Sequence, residues 1–67
     1  MKKISANKAS ALFKFDKIDV DAGALETGAE VCLKTGAKVY KLKSGFVLGG
    51  YNYAKGRDLE RYAQFIV

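Results

Sequence analysis

The 67-residue chain contains no histidine, no proline, no tryptophan and a single cysteine, Cys32. One cysteine rules out an intramolecular disulfide, and the chain reads as a cytoplasmic protein rather than a disulfide-stapled secreted one. Without histidine, no Cys/His zinc site can be assembled from this chain. The usual proton shuttle near neutral pH is also missing, together with every nucleophile–histidine dyad. The expectation is a protein that is not an enzyme and needs no metal or cofactor. No unbroken apolar run exceeds three residues, as in Phe46-Val47-Leu48. A membrane span needs about twenty and a signal-peptide core about seven to fifteen, so no membrane partner is expected.

What is present fits one small domain over residues 1–67. Apolar residues form 49% of the chain and charged residues 28%, a balance too apolar for disorder. A domain this short buries only about 60% of its unfolded surface, so each core residue matters.

Charge is unevenly spread. The net value is +5, from 12 Lys and Arg against 7 Asp and Glu. Residues 1–15 carry Lys2, Lys3, Lys8 and Lys14 with no acid. Residues 16–30 hold Asp16, Asp19, Asp21, Glu26 and Glu30 against Lys17 alone. Residues 31–57 return to Lys34, Lys38, Lys41, Lys43, Lys55 and Arg57, again with no acid. A basic stretch of that length attracts a polyanion or an acidic protein surface. Lysines also solvate strand faces and guard sheet edges, a purely structural use.

Gly28, Gly36 and Gly45 are spaced as turns in a strand meander, with Val-, Tyr-, Phe- and Leu-rich segments between them. Hairpin loops at Thr35-Gly36 and Ser44-Gly45 would set Val31 against Tyr40, Glu30 against Lys41 and Leu42 against Val47. One face then gathers Val31, Leu33, Tyr40, Leu42, Val47 and Tyr51 as core, with Tyr40 over the bare Gly49. The other gathers Glu30, Cys32, Lys34, Val39, Lys41, Lys43, Phe46 and Leu48. A one-residue slip would exchange the faces.

Ser5 is placed to cap a helix over 6–15 with Ala9, Leu12 and Phe13 inward. Alternation over the same stretch leaves a strand as its rival. A strand near 16–20 and a loop over 21–28 follow. Asp58 is placed to cap a helix over 59–66 with a stripe of Leu59, Tyr62, Ala63 and Ile66, although a final strand fits the same residues. The expected fold is α+β, a three- or four-stranded antiparallel meander over about 29–54 with one or two short helices packed on it. A small, partly open all-β barrel is the alternative.

Short motifs add little. Asp19-Val20-Asp21-Ala22-Gly23 with Glu30 approaches a calcium-binding loop, but glycine falls fifth rather than sixth. Gly23 and Gly28 have phosphate-loop spacing, yet Ala29-Glu30 stands where Lys-Ser/Thr is required. Cys32 reads as a small hydrophobe in a strand.

The aromatic and basic residues carry the functional expectation. Lys34, Lys38, Lys41, Lys43, Lys55 and Arg57 would meet phosphates, with Phe46, Tyr51 and Tyr53 available for stacking on bases. The alternative is a protein-binding inhibitor or regulator of a larger machine, in the manner of small bacterial or phage accessory proteins. It would use the same surface or a sheet edge, which also offers pairing with a second copy.

Overall fold

The computed structural model describes residues 2–51 and 56–66. Strand β1 (Lys2–Ile4) leads into helix α1 (Ala6–Phe15), and a 3-10 turn follows at Ala22–Ala24. Strands β2 (Glu30–Cys32), β3 (Lys38–Leu42) and β4 (Gly45–Gly49) form the meander. Helix α2 (Gly56–Tyr62) runs on into a second 3-10 turn, Ala63–Phe65. The four strands make one antiparallel sheet in the order β1-β4-β3-β2. The sheet is open, with β1 and β2 at its edges, so the fold is α+β and the barrel alternative is set aside. Among the described residues no helix is long and apolar enough to cross a membrane.

Helix α1 forms as its sequence dictates. The Ser5 hydroxyl accepts from Lys8 N at 3.2 Å, satisfying one of the first-turn donors. Ala9, Leu12 and Phe13 are fully buried on its inner face. The helix ends in a Schellman motif: Ile18 N donates to Phe13 O at 2.8 Å and Lys17 N to Lys14 O at 3.0 Å. That closure puts Lys17 in the left-handed region, at φ 57°. It also turns the chain away, so no strand forms near 16–20 and residues 18–20 are irregular.

The register corrects the expected one. Glu30 pairs with Tyr40, Val31 with Val39 and Cys32 with Lys38. The first loop holds three residues rather than two: Leu33 N donates to Ala37 O at 2.7 Å, enclosing Lys34, Thr35 and Gly36. Gly36, at φ 97°, supplies the left-handed position such a loop needs. At the second loop Leu42 pairs with Gly45, so Lys43-Ser44 turns the chain and Gly45 begins the strand. The one-residue slip at β2 moves Val31 and Leu33 to the side of Val39, Phe46 and Leu48. That combined side is the more apolar one, and α1 and the C-terminal segment pack on it.

The expected core face is therefore the open face of the sheet. Leu42 is 39% exposed, while Val39 and Leu48 are fully buried. The expected Glu30–Lys41 pair is replaced by an exposed ion pair of Glu30 with Lys38, at 3.5 Å. The Tyr40–Gly49 neighbourhood persists on a diagonal: a Cβ at Gly49 would collide with the Cε2 edge of the Tyr40 ring.

The fourth strand comes from the N-terminal end, at β1, and not from the meander. At the other end, α2 starts at Gly56 and places Asp58 inside its first turn, not as its cap. The 3-10 turn after Tyr62 then places Phe65 in the core and Ala63 on the surface, while Leu59 within α2 is 43% exposed.

Candidate functional site

Pairing of β1 with β4 brings the first lysines beside the β3–β4 turn. Between them lies a groove of about 520 Å³, walled by Lys3, Ser5 and Ala6 on one side and by Lys41, Lys43 and Ser44 on the other. Ile4 and Phe46, which pair directly, form its apolar floor. Both are buried, at 2% and 5% exposed. Among the described residues no carboxylate lines the groove. The Lys41 ammonium sits 5.1 Å from the centre of the Phe46 ring and donates to Leu42 O at 2.8 Å. A cation over an aromatic face is attracted by the ring quadrupole, which helps hold Lys41 at the groove. The site thus combines convergent positive charge with an apolar base.

Three of the residues expected to bind a partner meet here: Lys41, Lys43 and Phe46. Phe46 offers a floor and not a free ring face. Lys38 lies on the open face, in its ion pair with Glu30. Lys34 is exposed in the β2–β3 loop, where its backbone N–H donates to Asp16. Tyr51 is half-buried and packs against the core. Arg57 is exposed in the first turn of α2, in a different element from the groove. Tyr53 and Lys55 lie outside the described residues.

Lys3 escaped the sequence reading because nothing local marks Lys2–Ile4 as a strand. Only its pairing with β4 carries it to the groove. Asp16 escaped for a similar reason, since five acids stand in one block and nothing in their order singles it out. It is fully buried at the end of α1. Its carboxylate accepts from Tyr62 Oη at 2.6 Å, from Arg61 Nε at 2.7 Å and from Lys34 N at 3.2 Å. Burial by itself would raise this carboxyl, but the hydrogen bonds from Tyr62, Arg61 and Lys34 outweigh it and hold the group below its ordinary range. Burial, then the bond to Asp16, pushes the Tyr62 hydroxyl above its own ordinary value. The cluster joins three segments, and its side chains stand apart from the groove.

The acids considered for calcium are otherwise employed or dispersed. Asp21 accepts from Gly23 N at 3.0 Å, capping the short 3-10 turn. Cys32 is exposed on the open face beside Lys38.

No family model, no curated protein and no solved structure matches the chain.

Proposed function

We propose that the protein binds nucleic acid, with the groove of Lys3, Lys41 and Lys43 at the centre of the contact. The observation that carries this reading is the meeting of three lysines around one groove that no acid among the described residues lines. Phosphate contacts of this kind release counterions, so affinity should fall log-linearly with salt. The test is titration of a labelled mixed-sequence oligonucleotide, single- and double-stranded, across a salt series. Replacing Lys41 and Lys43 together by alanine is expected to flatten the slope by roughly 1.4–1.8 units. Absence of binding to either form at low salt, with the domain folded, overturns the reading.

A second reading, a protein-binding module, is favoured by the helical side. There Phe15 is 43% exposed, with the Arg61 guanidinium 5.0 Å from its ring centre. Aromatic and Arg side chains are enriched at protein hot spots. For this reading Phe15→Ala, and not the lysine pair, should abolish capture of a partner.

A further inference from the structure

The groove and the open face lie on opposite sides of the sheet, Ile4, Phe46 and Lys41 on the helix-packed side and Val47 and Tyr40 on the other, and edge strand β1 joins them through Lys3. Lys3, Val47, Tyr40 and Glu30 pair in sequence across all four strands, so their side chains form one row on the open face. Lys3 belongs both to this row and to the groove wall. Lys38, two residues from Tyr40 on the same strand, stands on the same side, and Leu42 follows on the other flank. Tyr40 is therefore a half-buried ring near the middle of a face that no described helix covers, with lysines on two sides. The room for its ring comes from Gly49, where any side chain would strike it. Glu30, the one carboxylate of the row, is engaged by Lys38.

The same surface is poorly made for a duplex. A major groove admits a helix or a free two-stranded ribbon. Here the β3–β4 hairpin is flanked by β1 and β2, and α1 lies on the opposite layer with its apolar face buried. Single strands are held differently, by a cationic track for phosphates and a ring on which a base can stack. The groove supplies the first and Tyr40 the second.

We infer that the ligand is a single-stranded nucleic acid, its phosphates on Lys41, Lys43 and Lys3 and the strand then passing round the β1 edge to stack one base on Tyr40 on the open face. This rests on the nucleic-acid reading above and narrows it. Tyr40, rather than Phe46 or Tyr51, is the stacking residue, because those two rings are taken up by the core.

The experiment compares a labelled single strand of about a dozen nucleotides with its duplex at one salt concentration, a length within the usual site size. The single strand is expected to bind roughly tenfold tighter, with Tyr40→Leu lowering its affinity by about 5- to 100-fold. Duplex affinity should not respond to Tyr40→Leu, and Tyr40→Phe should bind as the native chain does. In the unsubstituted protein, the Tyr40 ring protons should move upfield on titration with the single strand, which needs no variant to fold. Equal or tighter duplex binding, or a Tyr40 ring that neither shifts nor matters, overturns the inference while leaving the nucleic-acid reading in place. If neither form binds, both fall.

Discussion

The Tyr62 hydroxyl reaches Asp16 Oδ2 at 2.6 Å, a bond between the end of α2 and the end of α1. The same hydroxyl accepts from Thr35 N at 3.4 Å, drawing in the β2–β3 loop. Removing the carboxylate leaves a buried phenol and a loop N–H without their acceptor. Asp16→Ala is expected to cost about 2–4 kcal/mol, and Tyr62→Phe about 1.5–3 kcal/mol. The two should be strongly non-additive in a double-mutant cycle read by urea unfolding. Additive losses would show that the residues act separately.

The same pair sets the pH profile. Asp16 is held below its ordinary value of 3.8, so its contribution is complete above that value and is lost as pH falls through the lowered one. Tyr62 is raised above 10.0, so its contribution is complete below that value and is lost as pH rises through the raised one. Tm should be nearly flat between about pH 5 and 9 and fall on both sides. Asp16→Ala should lower the plateau and shallow the acid limb. An acid limb of unchanged steepness would assign that loss to other carboxylates.

Leu48 and Leu42 separate the two faces of the sheet. Leu48→Ala opens a cavity beneath α1 and is expected to cost about 2–5 kcal/mol. Leu42→Ala, at an exposed site on the other face, should cost less than about 1 kcal/mol. Thermal melts of the two variants in the reverse order would invert the sheet.

Gly49→Ala should destabilise the chain, because the new methyl meets the Tyr40 ring. The loss should shrink markedly when Tyr40 is also replaced by alanine, which frees the space. Melting of the two single variants and the double reads this coupling directly.

Lys17 occupies a position that suits glycine. A left-handed conformation costs an L-residue about 1–2 kcal/mol, against about 0.5–1 kcal/mol of extra unfolded-state freedom for glycine. Lys17→Gly should therefore stabilise by about 0.5–1 kcal/mol. A fall in Tm would mean that the lysine makes a contact worth more than the strain.

Helix α1 was legible because its signals are local: a serine cap, then an inward stripe at helical spacing. The meander was legible as strands and turns, but its register was off at both loops, by two residues at β3–β4, which keeps the faces, and by one at β2–β3, which exchanges them. Taking Thr35-Gly36 as the whole loop, when Lys34 also belongs to it, placed Val31 and Leu33 on the wrong side. It also made the open face look like the core. Strand β1 was not legible, since three residues with two lysines become a strand only by pairing with β4. Of the groove, Lys41 and Lys43 could be read from the basic stretch and Lys3 could not. The Asp16 cluster depends on contacts between distant segments that no spacing encodes.

Because β1 joins the sheet beside β4 and not beside its sequence neighbour, the groove has walls from opposite ends of the sheet-forming chain. The β3–β4 hairpin can form from local contacts, whereas closing β1 onto it requires a long loop to shut, a step that non-local pairing makes slow. A folding chain thus carries the Lys41–Lys43 turn before it has anywhere to seat an anion. Whatever occupies the finished groove would bridge the late strand to the early hairpin and stabilise the closed chain by mass action. Occupancy and the final step of folding become a single equilibrium.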